Sequence, residues 1–318
     1  MNQPIIFMFS GQGSQYYQMG RQLFTQQPVF RDWMLKLDDL ARPRIGQSVV
    51  EEIYHPQKNI SHPFDRTLYT HPAIFMAEYA LVQVLAEMGI RPDYVLGASL
   101  GEYVAAVVAN VAGVEDILDC VIGQAKAFEA HCRKGGMLAV LAALELYRET
   151  PLFYQNSELV AINYHSHFVV SGEVESINEI CRFLKTSGII HQLLPVSFGF
   201  HSACIEPAGG VYQELLRTKS FQKPTLPYIS CVFGNQLTGI PDNYFWDVVR
   251  QPIQFQKAIG TIEKQSGNIY LDLGPSGTLT NFTKQNLVPG SLSKCFSIMT
   301  PFGQDLKNLE ALRRFLGK

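Results

Sequence analysis

Apolar positions fall into two rhythms along this chain, short unbroken runs and longer stretches at helical spacing. Ile5–Phe9 is an unbroken run of strand length. It leads into Ser10-Gly11-Gln12-Gly13-Ser14-Gln15, a turn-rich loop. The pattern then predicts helices near 17–24, 29–40, 49–54 and 73–88. In the last of these Ile74, Ala77, Leu81, Leu85 and Met88 recur with helical period. A short strand at 94–96 follows, then a sharp turn, a small-residue helix at 102–108 and a helix over 114–132. Helices alternating with short apolar strands predict an α/β fold with a mainly parallel sheet.

The texture changes near Gly135-Gly136. A strand at 137–141, a helix, a hairpin of 159–163 with 168–171, a helix over 174–186 and a strand at 191–194 make β-α-β-β-α-β. That is the ferredoxin-like order. Residues 133–198 therefore read as a small subdomain inserted into a larger one made of 1–132 and 199–318. Beyond it the pattern predicts a helix to about residue 217, strands at 228–232, 269–273 and 295–299, and a last amphipathic helix over 306–315. There is no internal repeat and no low-complexity linker.

Composition narrows the class. The 318 residues are 47% hydrophobic and 17% charged, with a formal net charge of −2. That allows a sizeable core and argues against nucleic acid as a partner. Ile5–Phe9 is too short for a membrane span or a signal core, so a soluble, cytoplasmic protein is expected. The six cysteines form no C-x-x-C pair, which fits free thiols better than disulfides or zinc. No metal constellation and no organic cofactor motif is present.

The candidate chemistry centres on Gly97-Ala98-Ser99-Leu100-Gly101. Between a strand and a helix, a G-x-S-x-G serine is thrust out on a tight turn as a nucleophile. The competing reading is a serine that only caps the next helix. A serine hydroxyl needs a base. Of the eight histidines, His201 has the best setting, a glycine-containing loop before a helix; His165 and His167 lie in a hairpin turn and His71 precedes a proline. The N–H of Leu100 is one candidate oxyanion donor, and the Gly11-Gln12-Gly13 loop offers a second from the same sheet edge. Neither a phosphate loop nor a dinucleotide fingerprint is complete.

Four motifs in order, Gly11-Gln12-Gly13-Ser14-Gln15, Gly97 to Glu102, Gly199-Phe200-His201-Ser202 and Leu273-Gly274-Pro275-Ser276-Gly277, resemble the malonyl-CoA:acyl-carrier-protein transacylase family. They are most similar to the stand-alone acyltransferase-like proteins and acyl hydrolases of trans-acyltransferase polyketide synthases. The resemblance implies an α/β-hydrolase-like large subdomain with the ferredoxin-like insert. It implies Ser99 as the acylated nucleophile and His201 as base, oriented by a backbone carbonyl in Arg250-Gln251-Pro252, with Gln251 favoured. It implies the N–H groups of Gln12 and Leu100 as the oxyanion hole and Phe200 beside the acyl group. The acyl unit would arrive on the 4'-phosphopantetheine of an acyl carrier protein or of CoA, with no cofactor of the protein's own. Carrier domains of a polyketide synthase would be its partners, and the chain would be a monomer. Carrier proteins are acidic, so Lys284 and Arg250 are candidate contacts by charge, with solvated surface residues as the competing reading for both.

Two departures bear on specificity. Malonyl-transferring members carry an arginine 25 residues after the nucleophile, which grips the free carboxylate. Here that position is Gln124. Lys126 is a poor substitute, because two residues turn a helix by about 200°. Ala98 stands where the family usually has histidine; alanine is expected to leave a roomier, less polar pocket, with a simple packing change as the equal alternative. The expected function is hydrolysis of uncharged acyl groups from carrier protein, through an acyl-Ser99, in polyketide biosynthesis. Three alternatives stand beside it. One is an acyltransferase moving a non-malonyl, or less readily a malonyl, unit to a carrier. Another is an inactive homologue that only docks carriers. The last is an ordinary esterase, which would need Asp116, Asp119 or Glu173 behind the histidine.

Overall fold

Strand β1 (Ile5–Phe9) lies inside a six-stranded sheet and ends where the Gly11–Gly13 loop begins. A computed structural model gives the protein's structure for residues 3–264 and 267–318. After β1 come α1 (Arg21–Gln26), α2 (Pro28–Ile45), α3 (Val49–Ile53), α4 (Thr67–Glu87), β2 (Tyr94–Gly97), α5 (Gly101–Val108) and α6 (Val114–His131). Then β3 (Gly135–Val140), α7 (Glu145–Glu149), α8 (Pro151–Asn156), β4 (Glu158–Tyr164), β5 (His167–Glu173), α9 (Val174–Thr186) and β6 (His191–Leu193) follow. A 3-10 turn (Ala203–Ala208) opens α10 (Gly209–Arg217), before β7 (Tyr228–Ser230), β8 (Asn235–Leu237), α11 (Tyr244–Arg250) and α12 (Phe255–Ile262). The chain closes with β9 (Ile269–Asp272), α13 (Thr278–Asn286), β10 (Lys294–Ser297) and α14 (Asp305–Leu316).

The large sheet has the order β10-β9-β1-β2-β7-β8 and is parallel except for the β7–β8 hairpin. Helices cover both faces, which is why β1 is an unbroken apolar run. Phe7 and Phe9 join the larger core, whereas Ile6 and Met8 join a second cluster containing Ile259 and Leu279. Helix α4 is buried almost all round, as its low polarity requires. A separate antiparallel sheet has the order β4-β5-β3-β6, the ferredoxin-like arrangement, with its own core of Leu138, Phe153, Phe168 and Ile180.

The fold is the α/β architecture that the pattern predicts, with local differences. The helix expected over 17–24 starts only at Arg21. Tyr17 and Met19 are buried from a turn, so their spacing mimics a helix without forming one. The pattern also passes over β8, α11, α12 and α13. Each is under three turns or a few residues long, too short for periodicity to identify.

Candidate active site

Strand β2 stops at Gly97 and α5 starts at Gly101, so the reversal has three residues. The flanking glycines are sterically required. A Cβ on Gly97 would lie 2.4 Å from the backbone N and Cα of Glu102, and one on Gly101 would lie 2.0 Å from the carbonyl oxygen of Phe9. Ser99 at the apex takes φ +55°, a left-handed conformation uncommon for a residue with a Cβ. It is half-buried, and its Oγ lies 2.8 Å from Nε2 of His201.

His201 is buried and also left-handed, at φ +64°. The end of α11 holds it twice. Its N–H donates to the Val249 carbonyl at 2.9 Å, and its Nδ1 lies 2.8 Å from the Gln251 carbonyl oxygen. A carbonyl can only accept, so Nδ1 carries the hydrogen and Nε2 keeps a lone pair toward Ser99. Burial pushes the imidazole down to about 4, against the carbonyl of Gln251, which favours the charged form. At neutral pH the ring is therefore uncharged, with the Nε2 lone pair facing the Ser99 hydroxyl.

The Gly11–Gly13 loop lies against this turn. A Cβ on Gly11 would meet Ser99 Cβ at 2.8 Å and the Leu100 nitrogen at 3.2 Å. Among the described residues neither the Gln12 N–H nor the Leu100 N–H has an acceptor. The loop is fixed from several sides. Gln12 donates through Nε2 to Thr70 Oγ1 at 2.8 Å, Gln15 donates through Nε2 to the Phe64 and Pro195 carbonyls, and the Gly13 N–H donates to Gln15 Oε1.

The remaining sequence candidates divide. Phe200 is buried beside His201 and packs on His71, Phe128 and Phe198 at centroid distances of 5.6, 5.4 and 6.0 Å. His71 is fully buried, and burial pushes it down to about 3, so it is neutral. Gln124 is buried, and its Nε2 donates to the Tyr103 hydroxyl at 2.6 Å. Ala98 belongs to the cluster of Leu96, Ile229 and Phe255, separate from the one that holds Phe200.

The cations singled out in the sequence are exposed or already paired. Lys126, Arg133 and Lys284 are exposed. Arg250 pairs with Glu158 and Glu206. The carboxylates that an ordinary esterase would need are elsewhere. Asp116 and Asp119 pair with Lys219, and Glu173 is exposed. A backbone carbonyl, not an acid, stands behind His201.

The sequence pattern of the family described as acyl transferase domain matches residues 6–318. The chain belongs to the acyl transferase domain family. It is similar to the polyketide biosynthesis acyltransferase homolog PksD of Bacillus subtilis (strain 168), with 53% identity over 99% of this chain and 97% of that protein. Among solved structures it is similar to the acyltransferase domain from the second module of the salinomycin polyketide synthase. That likeness has 29% identity and a TM-score of 0.86, over 98% of this chain and 73% of that one. It is also similar to MCAT from Streptococcus pneumoniae, with 26% identity and a TM-score of 0.80, over 97% and 98% of the two chains.

In this acyl transferase domain, residues outside the sequence candidates hold the site together. Thr70 anchors Gln12, and Glu102 and Tyr103 tie the Ser99 turn to α11. Glu102 had a visible signal, being the one charge in the otherwise apolar α5. Thr70 and Tyr103 had none.

Proposed function

We propose that this acyl transferase domain acts as a serine-dependent thioester hydrolase, removing uncharged acyl groups from acyl carrier protein during polyketide biosynthesis. The observation that carries the reading is Gln124. It is neutral, buried and already donating to Tyr103, and the cations nearest to it in sequence face solvent. A malonyl carboxylate brought there would remain unpaired, at a cost of several kcal/mol. A plain acyl chain meets no such penalty.

Ser99 Oγ attacks the thioester carbonyl carbon while its proton passes to His201 Nε2. The Gln12 and Leu100 N–H groups receive the developing oxyanion. As the C–S bond breaks, His201 returns the proton to the departing thiol of the phosphopantetheine arm, leaving an acyl-Ser99. Water then gives its proton to His201, attacks the ester carbon and releases the acid, and the proton returns to Ser99. Gln251 keeps the imidazole in the required tautomer throughout.

The name of PksD, an acyltransferase homolog, favours a second reading in which a carrier thiol takes the place of water. Partition decides between them. Acetyl-loaded carrier protein is mixed with enzyme and an excess of unloaded carrier, and free acetate is measured against acetyl transfer. Acetate production that Ser99→Ala abolishes supports the hydrolase. Transfer without acetate establishes the transferase, and absence of any acyl adduct on the wild-type chain removes both.

A further inference from the structure

Glu102 is a buried carboxyl group on the first turn of α5, three residues after Ser99. One oxygen reaches the start of segment 244–254 directly, and the other reaches its end through Cys231. Oε2 accepts from the Tyr244 hydroxyl at 3.0 Å, at the start of α11. Oε1 accepts from the Cys231 N–H at 2.7 Å, and the carbonyl of the same Cys231 accepts the Gln254 N–H at 2.7 Å. The next residue of α5 adds a parallel strut, since the Tyr103 hydroxyl lies 3.1 Å from the Phe245 carbonyl oxygen. Segment 244–254 is thus pinned at both ends to the helix that carries the nucleophile turn. Between the pins stand the two carbonyls that hold His201, those of Val249 and Gln251.

We infer that Glu102, braced by Tyr103, is a positioning residue that sets the Gln251 carbonyl, and through it His201, in register with Ser99. The physical reason is distance in the chain. Ser99 and His201 are 102 residues apart, on different loops, and among the described residues their backbones share no hydrogen bond. Without a cross-brace their 2.8 Å contact would depend on every packing contact between α5 and α11. A carboxyl group with both oxygens engaged measures that spacing directly, and a misplacement of about 1 Å costs on the order of 100-fold in rate. A hydrophobic residue would fill the same space but leave the Cys231 N–H and the Tyr244 hydroxyl without this acceptor. The inference rests on the acyl-Ser99 reading above and adds the residues that align its base.

The test uses Glu102→Gln and Tyr244→Phe in the full chain, with Ser99→Ala as the blank. Two quantities are read: the rate of acyl-Ser99 formation from acetyl-carrier protein, and the His201 Nδ1–H proton resonance by NMR, which needs no turnover. Expected are a fall in kcat of about 10- to 100-fold with KM within about twofold, and an upfield move of the resonance as the bond to Gln251 lengthens. An unchanged resonance in a folded variant overturns the inference, whatever happens to the rate. So does a loss confined to thermal stability. If Glu102→Gln does not fold, Tyr244→Phe decides alone, since it removes one hydroxyl. If the wild-type chain forms no acyl adduct, the functional reading fails, and the resonance still reports on the positioning.

Discussion

Ser99 and His201 meet at 2.8 Å through their side chains, and both hold a left-handed backbone, at φ +55° and +64°. The left-handed conformation costs an L-residue roughly 1–2 kcal/mol. Two such residues in contact mean that the fold holds strain where the proposed chemistry occurs.

Ser99→Gly should therefore stabilise the protein, by roughly 1 kcal/mol, while abolishing acyl adduct formation. Urea denaturation checks the first effect and intact mass after exposure to acetyl-carrier protein the second. A variant less stable than wild type would show that the hydroxyl contact with His201 outweighs the strain.

The rate of Ser99 acylation should be flat from about pH 8 down to about pH 5 and fall only near pH 4. His201 must be neutral to accept the proton, and burial pushes it down to about 4 from its ordinary 6.5. The kcat/KM profile of the free enzyme reads this directly. An acid limb at 6.5 would mean that water reaches the ring in solution.

At position 124, Gln124→Leu should lower stability by about 0.5–1.5 kcal/mol, because the Tyr103 hydroxyl loses one buried donor while keeping Tyr212 and the Phe245 carbonyl as partners. Gln124→Arg should raise the share of malonyl over acetyl on Ser99 when both thioesters are offered together. Intact mass of the loaded chain gives the ratio. An unchanged ratio would place residue 124 away from the acyl group.

Glu78 lies under the Gly11–Gly13 loop, where it accepts from the Ser10 N–H at 2.7 Å and the Ser10 hydroxyl at 2.8 Å. Burial raises it well above its ordinary value, so the folded chain keeps its proton. The unfolded chain loses that proton above pH 4.5, which favours unfolding as pH rises. Glu78→Gln removes this effect. The variant should gain on wild type by about 1.4 kcal/mol per pH unit above 4.5, until the folded group itself ionises. Parallel denaturation curves at pH 5, 6 and 7 test it, and a constant difference would show that Glu78 is ionised in the folded state.

The parts of the site that could be read from sequence are those encoded within a few residues. Gly97 precedes Ser99 because a tight strand-to-helix turn leaves no room for a Cβ against Glu102, a local requirement, whereas the space at Gly101 is taken by the Phe9 carbonyl on the neighbouring strand, so there the G-x-S-x-G pattern marks the residue without showing its reason. The buried run of β1 and the small-residue character of α5 are local for the same reason. What lies behind His201 is not. The Gln251 carbonyl is a backbone atom that every residue type possesses, so the pattern of Arg250-Gln251-Pro252 could mark a place only through resemblance.

Sequence by itself therefore determined the longer helices and the buried strands, the glycine-flanked Ser99 turn and the neutral residue at 124, since each depends on side-chain size, period or charge along a short stretch. Tertiary structure alone decided that His201 faces Ser99, that Tyr103 engages Gln124, that Ala98 packs apart from Phe200, and that Glu102 spans to Tyr244 and Cys231. These are contacts between segments far apart in the chain, and their geometry comes from how sheet and helices pack, which no local pattern encodes.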